Sequence, residues 1–375
     1  MPAVNLYFQV HQPHRLRRYS VFDAAPNYFD DAANEQILRK VAAKCYLPAT
    51  RILLDQVRRH AGDFRLAFSL TGCVADQLRR HAPDVLDNFR KLAQTGCVEF
   101  LAETYDHSLA SLYSPDEFRS QVDRHTELID DLLGQTPVVF RNTELIYNNH
   151  LAEMIDDAGR FRGVLTEGAD QVTAGRSPNF MYASPAGLPV MLKNYRLSDD
   201  IAFRFTHATP GIAPGIAPGT AAGLPLTAGR FARQIAALES ETLGGVRGAQ
   251  VCNLFMDFET FGEHHWKETG IFDFLAELPG AILAAGQRFL TPRESIDEFD
   301  PVDTFDCPQV ISWADRERDL SAWAGNAMQS SALGELFRLR DDAMASDAPE
   351  AYRDWRRLST SDHFYYMCTK AYDDG

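Results

Sequence analysis

The run Val251-Cys252-Asn253-Leu254-Phe255-Met256 constrains this chain more than any other stretch. It has the length and composition of a buried β-strand. It then breaks abruptly into Asp257, Glu259, Glu263, His264, His265 and Trp266. A carboxylate at the end of a buried strand costs free energy unless it is paired or put to use. The chain must therefore fold so that this strand end meets partners from elsewhere in the sequence.

The same pattern recurs along the chain. Val4–Val10 reads as a strand that exits at His11-Gln12-Pro13-His14, where Pro13 cannot continue a central strand. Arg65–Leu70 is a strand turned by Thr71-Gly72. Cys97–Ala102 runs into Glu103, Tyr105, Asp106 and His107. Pro137–Phe140 ends in Arg141-Asn142-Thr143-Glu144, and Gly163–Thr166 ends at Glu167. Further strands are expected near Val190 and Ile201 and at Arg288–Leu290. Helical periodicity fills the intervals: Glu35–Arg59 interrupted at Pro48, Pro83–Gln94, residues 150–158 and Gly229–Leu243. Ser114-Pro115-Asp116-Glu117 reads as a capping box opening a helix that stops at Gly134. Pro210–Pro225, with its repeated Pro-Gly-Ile-Ala, reads as an irregular surface excursion. From Leu320 onward the pattern is helical, in Ser321–Leu339 and Glu350–Leu358, before an aromatic and polar tail, Ser359–Asp374.

Strand and helix units in alternation imply a parallel sheet with right-handed crossovers. Such folds bind ligands at the carboxyl ends of their strands. His11, Glu103, Glu144, Glu167 and Asp257 all sit at or just past a strand end, so all five are expected at one rim.

Composition narrows the partners. The 375 residues are 45% hydrophobic and 24% charged, as in an ordinary globular protein with room for a sizeable core. A net charge of −15 argues against nucleic acid and anionic membranes, which need basic patches. The six cysteines form no Cys-x-x-Cys pair and lie mostly in apolar runs, so neither a zinc site of that type nor disulfides are expected. The N-terminus lacks a secretory pattern, and no apolar run approaches the roughly 20 residues of a membrane span. The expectation is a cytoplasmic, reduced protein without a metal or cofactor.

Converging carboxyls without a Gly-rich phosphate loop suggest glycoside hydrolysis. That chemistry needs one ionised and one protonated acid, and neighbouring carboxyls push each other's pKa apart. Tyr105, Tyr147 and Trp266 could stack on sugar faces, while His11 and Gln12 could bind hydroxyls. Taken singly, each residue has a plainer explanation: a structural hydrogen-bonding acid, an exposed Glu263-His264-His265 turn, a packing tryptophan. Convergence on one rim is what raises the functional reading.

Five segments carry a resemblance. HQP at 11–13, GCVEFL at 96–101, FRNTE at 140–144, FMDFETFGEHHW at 255–266 and TSDHFYYM at 360–367 occur in this order. The chain resembles glycoside hydrolase family 57, and most of all its α-amylase branch. That resemblance implies an α/β fold, an incomplete (β/α)7 barrel with a C-terminal α-helical region, divided as residues 1–300 and 301–375. It implies retaining cleavage of α-1,4-glucosidic bonds in an α-glucan or oligosaccharide, with Glu144 as nucleophile and Asp257 as general acid/base. It places His11, Glu99, Glu259, Trp266, Trp313 and Asp362 around the sugar. Trp313 lies in ISWADRERDLSAW, a segment that brings the helical region over the cleft. Related transferases carry Trp in the nucleophile segment and the tail motif, where Phe140 or Asn142, and Tyr365, stand here. The same pair would serve a 4-α-glucanotransferase or a branching enzyme. A glucan-binding protein without turnover, and a metal-dependent deacetylase using His11, His14 and an Asp, are the readings from other classes.

Overall fold

The computed structural model describes residues 1–20, 22–23, 27–207 and 226–370. The Pro/Gly-rich stretch at 210–225 and the last residues of the tail lie outside them. Twelve strands follow in order: β1 (Ala3–Val10), β2 (Leu66–Leu70), β3 (Val98–Phe100), β4 (Val139–Arg141), β5 (Gly163–Glu167), β6 (Met181–Ala183), β7 (Pro189–Lys193), β8 (Thr242–Leu243), β9 (Val246–Arg247), β10 (Val251–Asp257), β11 (Arg288–Phe289) and β12 (Asp303–Thr304).

One sheet runs β10-β1-β2-β3 with β11 beside the start of β1, and all its pairs are parallel. The other runs β12-β6-β7-β5-β4 and is parallel except at β6–β7. The sheets meet along two seams. At one seam a parallel bridge joins Ala102 to Phe140, and Ala102 N donates to Val139 O at 2.9 Å. At the other seam Asn194 N donates to Asn253 O at 2.9 Å, and Asn253 Nδ2 donates to Leu192 O at 2.8 Å.

The two-residue period of a strand sorts the side chains. Val4, Leu6, Phe8 and Val10 of β1 pack outward against helices. Tyr7, between them, packs inward with Ala67, Leu101, Val139, Leu165, Met191 and Phe255 from both sheets. Two residues beyond these inward positions stand Gln9, Ser69, Glu103, Arg141, Glu167, Lys193 and Asp257. The apolar middle of the interior therefore gives way to a polar layer at the carboxyl ends. Phe258 fixes the turn that follows β10. Its ring lies 5.3 Å from Phe8 and 5.2 Å from Phe68, in a cluster with Tyr46 and Phe89.

Several expectations are corrected. The segment at Ile201 is a helix, Tyr195–Ala202, capped by the Asn194 side chain, which accepts from Leu197 N. Helical spacing rather than alternation puts Ile201 in the core. Pro48 stands in the first turn of a second helix, Leu47–Arg59, as such a proline can, but the chain does not break there: a π-helical turn at Ala42–Tyr46 joins it to the first helix. The helix expected over Gly229–Leu243 stops at Ala237, before the β8–β9 hairpin. The helix expected over Ser321–Leu339 divides into Ser321–Ala324 and Ala327–Arg338. All six cysteines are free thiols, and five are buried. No helix among the described residues is long and apolar enough to cross a membrane.

The C-terminal helices sit on the Pro115–Leu133 helix through one buried acid. Ser114 caps that helix as expected, accepting from Glu117 N, but the Glu117 side chain turns outward from the capping position. It is fully buried and accepts from Arg356 Nε at 3.0 Å, Arg340 Nε at 3.4 Å, Gln121 Nε2 at 3.0 Å and the Tyr352 hydroxyl. Removing it leaves Arg340 and Arg356 without the buried carboxylate that answers their charge. Glu117→Ala should cost about 3 kcal/mol in chemical denaturation. Amide exchange should accelerate first in the Pro349–Leu358 helix.

Candidate active site

The polar layer opens into a cleft of roughly 210 Å3 lined by His11, His107, Glu144, Asp257, Glu259, Trp313 and Asp362 among others. Asp257 is the last residue of β10. Glu144 lies just past β4 in a 3-10 turn, with left-handed φ 57° and ψ 24°, and Leu145 beside it has φ 51°. Non-glycine residues hold that conformation at a cost of about 1–3 kcal/mol, and only where surroundings impose it.

The surroundings here are explicit. Trp313 N donates to Glu144 O at 3.1 Å, and Trp313 Nε1 donates to Glu144 Oε2 at 2.6 Å. His107 Nε2 meets Glu144 Oε1 at 3.0 Å, and Ser361 Oγ donates to the same oxygen at 3.4 Å. His107 itself has φ 51°. Its Nδ1 lies 3.5 Å from Glu103 Oε2. Glu103 is fully buried and also accepts from Gln9 Nε2 at 3.2 and 3.3 Å. His11 stacks on His107 with ring centroids 4.0 Å apart. Its Nδ1 pairs with Thr71 Oγ1 and its Nε2 with Asp362 Oδ2, both at 2.9 Å.

These contacts set the charges. Burial raises the Glu144 carboxyl, but the His107 hydrogen bond and the positive charges of His107 and Arg141 outweigh it and leave the group below its ordinary range. Burial lowers His107, but the Glu103 carboxylate beside it and its hydrogen bond to Glu144 lift it to about 9, so it is an imidazolium at neutral pH. Asp257 shifts the other way. Burial raises it most; His264 pulls it down, the negative charge of Glu144 raises it further, and Arg141 and Lys193 oppose more weakly. Glu259 is pushed up to about 8 by burial and by Asp257, and it accepts from the Tyr46 hydroxyl and, at 3.4 Å, from Gln12 Nε2. One cleft thus holds an ionised carboxylate beside a carboxyl biased toward its protonated form. Acid-assisted displacement needs that division.

Six of the eight residues expected at the site line this cleft: His11, Glu144, Asp257, Glu259, Trp313 and Asp362. Glu99 does not. It lies two residues short of Leu101 on the same face of its strand, and its Oε2 accepts from Arg293 N at 2.9 Å, at the start of the Pro292–Glu298 helix. Its carboxyl therefore points toward the opposite end of the interior from the cleft. Trp266 is 63% exposed beside Lys44, outside the lining. Tyr147 is fully buried in the core, and Tyr105 packs under Arg124. Glu167 is buried against Lys193 at 3.5 Å and Arg318 at 3.2 Å. His11, His107 and Asp362 each bring a nitrogen or oxygen to within 4.8 Å of the others, but His107 as an imidazolium has no lone pair for a cation; His14 is not in the group. His107 was missed by sequence reasoning. The one available signal was its place behind Glu103 in the loop after β3.

The profile of glycosyl hydrolase family 57 matches residues 5–308. A putative alpha-amylase of Methanocaldococcus jannaschii is 38% identical over 386 residues, covering 99% of this chain and 78% of that protein. Among solved structures, the 4-alpha-glucanotransferase from Thermococcus litoralis superposes with a TM-score of 0.64 at 15% identity. That match covers 97% of this chain, which spans 50% of the transferase. A GH57 branching enzyme from Thermococcus kodakaraensis gives a TM-score of 0.68 at 14% identity, covering 98% of this chain and 86% of that one. At these identities the structural likenesses bear on the fold alone.

His107 gives a pH signature. Its folded value of about 9 exceeds the ordinary 6.5, so the stability it supplies is fully present below pH 6.5 and lost as pH rises through 9. That contribution is about 3 kcal/mol. Denaturant midpoints at pH 6 and pH 9.5 should differ by more in the wild type than in His107→Phe.

Proposed function

This chain belongs to glycosyl hydrolase family 57, and we propose that it cleaves α-1,4-glucosidic bonds of α-glucans or maltooligosaccharides by a retaining mechanism. The observation that carries the reading is the opposed tuning of the two carboxyls in one cleft. Glu144 is held ionised by His107 and Trp313, and Asp257 is raised toward the protonated form. In the proposed cycle Glu144 attacks the anomeric carbon while Asp257 protonates the leaving oxygen. The glycosyl-enzyme ester is then opened by water, which Asp257 deprotonates.

Other groups follow from their surroundings. Glu259, neutral near pH 7, would donate a hydrogen bond to a sugar hydroxyl, and the His11–Asp362 pair would orient a second. The two sheets that meet along two seams are taken as an incomplete (β/α)7 barrel within residues 1–300. The helices after residue 301 are taken as the region that closes over its cleft, delivering Trp313 and Asp362. The −15 charge fits a neutral polysaccharide better than a polyanion.

Chromatography of products from amylose and maltooligosaccharides tests this. Shorter products alone mark hydrolysis; products longer than the starting oligosaccharide mark glucan transfer by the same pair. Glu144→Gln should lose activity by ~10³-fold or more. Asp257→Asn should lose it on natural glucans but retain a burst on substrates whose leaving group needs no proton. Wild-type protein that releases no product from any α-glucan ends the proposal.

A further inference from the structure

Arg141 is the last residue of β4 and is fully buried, two positions beyond inward-facing Val139. A buried arginine that serves as a strut is hydrogen-bonded through its fork. None of the three guanidinium nitrogens of Arg141 has a hydrogen-bond partner among the described residues. It meets its neighbours in two other ways. Its face lies 4.8 Å from the Trp313 ring, and its Nη1 lies 3.7 Å from Glu103 Oε2. Lys193 Nζ lies 5.2 Å from the same indole.

Both contacts lead to Glu144. The Trp313 indole donates to one Glu144 oxygen, and Glu103 faces the His107 that pairs with the other. We propose that Arg141 is a positioning residue for the nucleophile, acting through the Trp313 ring it faces and the Glu103 carboxylate it neutralises. The inference rests on the assignment of Glu144 as nucleophile and adds how that carboxylate is kept ready. Two cations on one indole hold it flat against them, which aims Nε1 at Glu144. Without Arg141, the charge of buried Glu103 would be answered by His107 alone, with Gln9 Nε2 as a neutral donor. The groups that face Glu144 are His107 and Arg141, which are positive, Asp362 and Asp257, which are acids, and the donors Trp313 and Ser361. Arg141 also faces Tyr7.

The test compares Arg141→Met and Arg141→Lys in the full chain, through pH profiles of kcat/KM on a maltooligosaccharide. The acidic limb reports the ionisation of Glu144. Removing a facing positive charge disfavours that ionisation, so Arg141→Met should move the limb upward by about 1 pH unit. Arg141→Lys keeps the charge and should leave the limb in place. Both should lower kcat by ~10-fold or more, with KM changed by less than about 2-fold, because the indole loses its planar support. A rate loss with the limb unmoved in Arg141→Met overturns the proposal in favour of a purely structural role. Should Arg141→Met fail to fold by circular dichroism, Arg141→Lys decides: a moved limb or an unchanged kcat overturns the proposal, and a fixed limb with reduced kcat supports it. Titration of the Glu144 carboxyl by carbon NMR, assigned with Glu144→Gln, reads the same shift without turnover. An inactive wild type with that shift present would sink the hydrolase reading and leave the Arg141–Glu144 coupling standing.

Discussion

A β-strand can present a side chain to the interior only at every second residue, and the chemistry of this protein hangs on that constraint. Tyr7, Leu101, Val139, Leu165 and Phe255 fill the space between the sheets. The next inward residue on each strand is then polar: Gln9, Glu103, Arg141, Glu167, Asp257. Parallel strands bring all these ends to one side, so carboxyls far apart in sequence come to share a small volume. Their mutual burial is tolerable because positive groups stand among them. His107 lies between Glu103 and Glu144, and Lys193 and Arg318 face Glu167.

Much of this frame is legible in the sequence, because an apolar run that stops at an acid signals both a strand and its end. Val251–Met256 followed by Asp257, and Gly163–Thr166 followed by Glu167, come within a residue of the observed strands. What is not legible depends on long-range contact. Only its place behind Glu103 marks His107 locally; its importance lies in joining two acids from different loops. Glu99 shows the converse. It is an acid in a strand on the inward face, yet two residues of position decide which end of the interior its carboxyl reaches. Ile201 was misjudged because a short apolar segment does not distinguish a strand from a buried helix until its cap at Asn194 is weighed.

Backbone strain collects at the same place. Glu144, Leu145 and His107 all adopt positive φ, and Glu144 and His107 hydrogen-bond each other. Each conformation is held from outside its own loop: Glu144 by the backbone and indole of Trp313, His107 by Ser361, whose N donates to His107 O at 2.9 Å. The loops after β3 and β4 are thus shaped by residues that come much later in the chain.

That dependence has a direction in time. Every strand except the two-residue β11 and β12 is present once β10 has been made, and the carboxyl ends of β4 and β10 already carry Glu144 and Asp257. Yet two of the donors that grip Glu144, and the acid that grips His11, come from residues 313, 361 and 362. A nascent chain can pair its strands and bury its core while Glu144 meets only His107 and Arg141. The full set of contacts around Glu144 and His11 closes only when the segments at residues 313 and 361–362 dock, so the site is completed by the part of the chain made last.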